Sequence, residues 1–409
     1  MWACGRRRAR CWAMKRLLTA ALLSAAAAGQ QVYVSPVGHD GAAGTASQPL
    51  RTLGAAQRAA RALLEQRPLT ADVVVHVGPG VYYQPEPLRF TAADSGRDRH
   101  RMKWRGPGPA AGLDPARAAV VHGGSAISGW KRVGDSPVWR ADVSMLRRPF
   151  FNLVENMRGG ILARHPDYGS GYLKDVGCNN SATQILCPMG VLPPDLDAAD
   201  ASVFANLGGN WFTSTYSVAN ISGTSDGGVN VTFLREKQYA ANTRVYVQGA
   251  KQLISEGGEW ALDSRAATLF YWPRDFAAMA AGTLRIVATT STRILDFRGE
   301  TWREDGGVVS GVDVEGLVLS GSDFASNITL FQRTNDTPLR FREGMVRFEN
   351  ASDCTLRNCA LLDAGHSAVW LQSFAQNITL VGNHIARPGF CGTVFVESFS
   401  GPYFCSILN

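Results

Sequence analysis

The amino-acid sequence predicts an all-β chain organised around a parallel β-helix, with one helix capping its N-terminal end. Three observations predict it. First, DCTLRNCALLDAG (353–365) lies over NITLVGNHIARPG (377–389) without a gap, so that Leu356 falls on Leu380, Cys359 on Asn383, Leu361 on Ile385 and Gly365 on Gly389. Second, each copy alternates apolar and polar residues with period two, with Thr355 and Thr379 outward, which reads as a strand, a turn and a second short strand. Third, the neighbouring segments VRFEN (346–350), VWLQS (369–373) and VFVES (394–398) share one alternation. A unit this short cannot bury its own apolar face and must stack on copies of itself. A repeat of roughly 20 to 30 residues carrying two or three strands is that of a parallel β-helix.

At 409 residues, 45% hydrophobic and 18% charged, the chain is long enough for two or three domains with a large core and is not disordered. Of the net charge of +7, six charges come from Arg6, Arg7, Arg8, Arg10, Lys15 and Arg16, with no acid among the first 30 residues. The remainder is nearly neutral, so no nucleic-acid or anionic-membrane partner is expected. The same residues form the basic start of a signal peptide over 1–29, followed by an apolar run at 17–28 and the small residues Ala26, Ala27 and Ala28. That run is too short to span a bilayer, and no later stretch is long enough, so a secreted product without a membrane span is expected. Two of the eight cysteines, Cys4 and Cys11, belong to this leader. The other six would lie in an oxidising compartment, where Cys178 with Cys187 and Cys391 with Cys405 are the favoured disulfides on proximity, Cys354 and Cys359 remaining as candidate buried thiols. Asn179, Asn220, Asn230, Asn327, Asn335, Asn350 and Asn377 each open an Asn-x-Ser/Thr glycosylation signal. Asn and Thr also suit β-helix turns, which offers a second explanation for Asn327 and Asn377.

In chain order, 32–66 reads as a strand, a Gly-rich loop and a helix that Thr52 caps, with Leu53, Ala56, Ala60 and Leu63 or Leu64 as its apolar stripe. DVVVHVGPGVYY (72–83) reads as strand, Pro-Gly turn and strand. From 138 the chain is rich in Trp, Tyr and Gly without helical periodicity, and EWALDSRAATLFYWP (259–273) reads as a hairpin turning at 263–267. Coils resume near Leu284, with a further loop at 322–344. After Phe399 the repeat stops, which suggests that C-terminal coils are missing.

The phrases YVSPVGHDGAAGT, QPLRTL, GPGVYY and TAADSG within 32–96 resemble the opening of the secreted right-handed parallel β-helix glycoside hydrolases, the pectin-lyase-like group that includes fucosidases and xylanases. VVHGGSAISGW (120–130), FNLVENMRGGILARHP (151–166), GGEWALDSRAATLFYWP (257–273) and GVDVEGLVLSG (311–321) continue the resemblance in order over nearly the whole mature chain. It implies a right-handed parallel β-helix with an inserted antiparallel β domain. The expected division is 30–137 for cap and first coils, 138–283 for the insertion and 284–409 for the remaining coils. It further implies a carbohydrate-directed hydrolase acting on a polysaccharide or glycan, and the chain is expected to be a monomer. A polysaccharide lyase and a non-catalytic carbohydrate-binding or cell-surface protein are the alternatives.

No HExxH, CxxC or EF-hand spacing occurs, so neither a metal nor any other cofactor is implied. Gly365-His366-Ser367-Ala368 begins like a nucleophile elbow, but Val369 stands where its last Gly is needed. The repeat supplies stronger candidates. If Val346, Val369 and Val394 are equivalent inward positions, Arg347, Trp370 and Phe395 form one outward row, and Glu349, Gln372 and Glu397 a second. Strands repeat every ~4.8 Å, so the backbones of Glu349 and Glu397 would lie about 9.6 Å apart. Paired carboxylates at ~5 to 9.5 Å hydrolyse glycosidic bonds. Glu349 and Glu397 are therefore the first catalytic candidates, with Arg347, Trp370, Gln372 and Phe395 as substrate contacts. A solvated strand face is the plainer reading of both rows. Asp363 would stack on Arg387 one coil later, as an ion pair or as a further catalytic acid.

Overall fold

The computed structural model describes residues 30–396 and 407–408, apart from 67, 109–112, 147–149, 208–211, 238–242, 301–306 and 325–342. Among these residues the strands form six sheets, and only three of them are wholly parallel. The expectation of a single right-handed parallel β-helix is therefore corrected: strands of the chain's middle third pair in hairpins, into antiparallel or mixed sheets of four, five and seven strands. Short turns account for part of this. A chain that reverses within a few residues can only pair antiparallel, as Glu259–Asp263 and Thr268–Tyr271 do with Asp263 opposite Thr268, at the turn the sequence indicates.

The parallel sheets carry the repeat. Sheet A runs through Gln31–Val34, Val73–Val77, Met102–Arg105, Val312–Glu315, Thr355–Arg357, Ile378–Val381 and Ile407–Leu408. Sheet B comprises Gly80–Tyr83, Ala119–His122, Leu317–Ser322, Ala360–Ala364 and His384–Ala386. Sheet C comprises Leu88–Phe90, Leu295–Arg298, Gly344–Ser352, Ser367–Gln376 and Thr393–Val396. Leu356 pairs with Leu380 and Leu361 with Ile385, as the sequence repeat requires. Asn383 serves the turn between them: its Oδ1 accepts from the Cys359 N–H at 3.0 Å and its Nδ2 donates to the Leu356 carbonyl at 2.8 Å. One apolar core fills the space between these sheets. Phe90, Phe297 and Phe348 stack through it at 4.5 Å between successive ring centroids, close to the strand spacing itself.

The capping helix, α1 (Leu53–Leu64), begins where expected, with Thr52 Oγ1 accepting from the Ala55 N–H at 3.1 Å. Asp40 fixes Thr52 in turn by accepting from its N–H and hydroxyl, both at 2.8 Å. The buried stripe of Leu53, Ala56, Ala60 and Leu64 covers the first strands of the parallel core. Parallel pairing resumes at Leu295–Arg298, because Ile286–Thr289 pairs antiparallel with Leu153–Glu155 and Gly124–Ala126.

The Cys178–Cys187 disulfide is formed, whereas Cys405 lies outside the described residues. Cys354 and Cys359 are free and buried, and burial pushes their thiols up to about 12 and about 11. The signal-peptide reading, Asn327 and Asn335 also lie outside the described residues. Asn179 and Asn220 are exposed. The other glycosylation candidates spend their amides on turns and strands: Asn350 Nδ2 donates to the Gly299 carbonyl at 3.3 Å, Asn377 Nδ2 to Asp353 at 3.1 Å, and Asn230 Nδ2 to Gln184 at 3.3 Å.

Removing the middle ring of the phenylalanine stack leaves a void that its strand-locked neighbours cannot fill. Phe297→Ala should cost about 3–5 kcal/mol, read as a lowered urea midpoint at unchanged slope. A loss under ~1 kcal/mol would show that the stack does not hold the sheets together.

Candidate active site

The outer face of sheet C is where the sequence places its catalytic and substrate-binding residues. Arg347 pairs with Trp370 and Glu349 with Gln372, as expected. The next strand is displaced by one residue: Val394 lies opposite Trp370, Phe395 opposite Leu371, and Val396 opposite Gln372. A one-residue shift exchanges the two faces of a strand. The ladder partner of Gln372 is thus Val396, and Glu397 lies outside the described residues. Phe395 is paired with Leu371 and not with Trp370, and at 45% exposed it does not continue the row of Arg347 and Trp370.

Trp370 is not an open platform. It is 2% exposed, packs against Val394 and donates from Nε1 to Gln372 Oε1 at 2.9 Å, so the two supposed sugar contacts satisfy each other. Arg347 is equally committed. Its Nε donates to Asp296 Oδ1 at 2.8 Å, and its Nη1 lies 3.3 Å from Glu349 Oε2. Arg89 lies 3.4 Å from Asp296, and Arg298 3.5 Å from Glu349. Glu349 is thus held between two guanidiniums, although its Oε2 has no partner in hydrogen-bonding geometry. Asp363 forms the anticipated ion pair, Arg387 donating to both of its oxygens at 2.7 Å.

A second cluster forms where sheet B turns into sheet C, and the sequence reading missed it. Ser322 pairs with Ala364, which brings Asp323 beside Gly365: a Cβ on that glycine would lie 2.6 Å from the Asp323 backbone. The next residue, Phe324, stacks on His366 at 5.9 Å, and His366 on Phe390 at 4.8 Å. His366 Nδ1 lies 2.8 Å from the Glu343 carbonyl oxygen. Asp323 and Glu343, both buried, thus belong to the turn that carries this column of rings, and Phe390 is the column's most exposed member at 37%.

The two carboxyls have different surroundings. Asp323 Oδ1 accepts from the Phe151 N–H at 2.8 Å and from Thr289 Oγ1 at 3.2 Å, both beyond the parallel sheets, and no cation among the described residues is paired with it. Burial outweighs those donors and pushes its carboxyl up to about 7. Glu343 is also raised by burial, opposed by Arg293, whose Nη2 lies 3.3 Å from Oε1; Oε2 has no hydrogen-bond partner. Burial holds His366 below the usual imidazole value, so it is neutral near pH 7. Two carboxyl groups that burial makes reluctant to ionise, one without a paired cation among the described residues and one opposed by Arg293, are candidates for general acid and base work.

No family model matches the chain, and no curated protein matches it. Among solved structures, one titled "Glycoside hydrolase" superposes with a TM-score of 0.69 at 18% identity, covering 87% of this chain and 67% of that one. Another, titled "The complex structure of XylC with xylose", covers 90% of this chain and 62% of that one at 12% identity, but its TM-score of 0.25 supports no conclusion. The first likeness is one of fold: these sheets are arranged as in a glycoside hydrolase.

Two outcomes follow from this geometry. Arg347→Met would leave Asp296 buried without its principal partner and should cost about 3–5 kcal/mol, largely recovered when Asp296→Asn is added; equal stabilities by denaturation would contradict the buried pair. For Asp323, the folded carboxyl keeps its proton to about 7 while the unfolded one loses it near 3.8. The unfolded state then binds fewer protons between those values, so this group costs stability as pH rises, by up to about 4 kcal/mol. Asp323→Asn should flatten the fall between about pH 4 and 7, and parallel urea-midpoint profiles for the two proteins would refute it.

Proposed function

We propose that the protein is a secreted glycoside hydrolase whose chemistry resides at the turn from sheet B into sheet C. The observation that carries this reading is the presence of two buried carboxyl groups, Asp323 and Glu343, at the turn that carries a column of rings, on a fold like that of a structure titled as a glycoside hydrolase. In this reading Asp323, protonated to about 7, donates the proton to the departing glycosidic oxygen. Glu343, raised by burial but opposed by Arg293, is the second carboxyl group, acting on the water or the anomeric carbon in its ionised form. The exposed face of Phe390 would receive a sugar ring, as aromatic rings do for the C–H faces of pyranoses.

Secretion is supported by the Cys178–Cys187 disulfide and by the leader-like residues 1–29. No helix among the described residues is long and apolar enough to cross a membrane.

Release of reducing sugar from a panel of glycans tests the assignment. Asp323→Asn and Glu343→Gln should each lower kcat by at least ~10²-fold with the fold intact, and Phe390→Ala should chiefly raise KM. Full activity in both carboxyl variants would end this assignment. Loss confined to Glu349→Gln would transfer the chemistry to the outer face of sheet C, where Glu349 lies between Arg298 and Arg347. Release of ultraviolet-absorbing unsaturated uronates would indicate a lyase.

A further inference from the structure

Away from both carboxylate clusters, the outer face of sheet A carries a cleft of about 530 Å³ at its N-terminal strands. Its floor is one row of the parallel ladder. Tyr33 pairs with His76, and His76 with Arg105, so three polar side chains project side by side from successive strands. Tyr33 and His76 stack with ring centroids 4.5 Å apart and planes at 13°, while Pro49 and Pro107 line the cleft beside them. The volume falls within the ~300–1,000 Å³ of small-molecule sites, enough for one or two pyranose rings.

Two features indicate what such a cleft would bind. His76 Nε2 is buried and has no hydrogen-bond partner, an arrangement that costs free energy until a ligand or water supplies one. Burial, followed by the charge of Arg105, keeps this imidazole neutral near pH 7, so Nε2 suits a hydroxyl as donor or acceptor. Arg105 is the cation of this row that lines the cleft, and it is half exposed. Its nearest acid, Glu315, lies 3.9 Å away, too far for a hydrogen bond, so the guanidinium keeps its paired donors for an incoming carboxylate. Tyr33 and the prolines provide apolar lining for a ring.

We propose that this cleft is a second carbohydrate site that selects a hexuronate, the sugar carboxylate engaging Arg105 and a ring hydroxyl engaging His76 Nε2. The choice of a sugar acid over any other small carboxylate rests on the hydrolase reading; the cleft and its cation do not.

Isothermal titration calorimetry of the full chain with glucuronate, glucose and acetate tests it. Glucuronate should bind at least ~10-fold more tightly than either glucose or acetate, because only it presents both a carboxylate and a ring. Arg105→Gln should reduce glucuronate affinity to that of glucose, and His76→Phe, which keeps a ring for Tyr33 to stack on, should weaken it by about tenfold. Circular dichroism checks that each variant is folded. Three results would overturn the proposal: no saturable heat from glucuronate in the millimolar range, equal affinity for glucose, or an Arg105→Gln variant that binds like wild type. Acetate binding as tightly as glucuronate would overturn the sugar assignment. Hydrolysis is measured separately through Asp323→Asn and Glu343→Gln, so inactivity with intact glucuronate binding, or the reverse, shows which of the two readings fails.

Discussion

Everything in the parallel half of this molecule depends on register between successive strands. When each residue lies about 4.8 Å from its counterpart in the next strand, a side chain's neighbours are set by its column, and every column must be satisfied as a column. Phe90, Phe297 and Phe348 meet this constraint by stacking. Asp296 and Arg347 meet it by alternating charge, and Asp363 with Arg387 repeats that solution elsewhere. Like charges in one column would repel at contact distance. The outward rows therefore pair off internally, and the charged face of sheet C is largely self-satisfied.

That self-satisfaction explains why much of the fold and little of the candidate site were legible in the sequence. Ladder partners such as Leu356 with Leu380 follow from the repeat because an inward apolar residue has one place to go. The helix cap at Thr52 and the hairpin at 259–273 were legible for the same local reasons. The overall architecture was not, because the repeat reports only the residues that carry it, and the antiparallel sheets leave no periodic signal. Trp370 and Glu349 looked like a binding face because a single strand reveals direction but not what covers it. The displaced pairing of Val394 with Trp370 depends on the turn after Phe390, and a single residue in a turn reverses every side chain that follows.

A signal for the second cluster was present in the sequence. VDVEGLVLSGSDF (312–324) lies over CTLRNCALLDAGH (354–366) and ITLVGNHIARPGF (378–390) without a gap. Three copies end in Phe324, His366 and Phe390, and the structure stacks those rings. In the column before them stand Asp323, Gly365 and Gly389, so one coil carries a carboxyl group where its neighbours carry no side chain. Glu343 had no such signal. It reaches this turn only after the interval 325–342, across which the repeat gives no count.

The position of the cluster follows from where the ladders can tolerate interruption. A long excursion within a strand would break its hydrogen bonds, whereas one at a turn breaks none. The chain leaves after Gly123 and returns at Ser291, with the N–H groups of Thr290 and Ser291 both donating to the Gly123 carbonyl, at 3.1 and 3.0 Å. In the sequence, 18 residues (325–342) separate Phe324 from Glu343. The segment that returns at Ser291 supplies Thr289 to Asp323 and Arg293 to Glu343. Both carboxyls are buried by chain that the parallel sheets do not need for their own pairing. Their contacts can consequently vary without disturbing the strand register beneath, which gives this turn more freedom to acquire chemistry than the locked charge columns of sheet C.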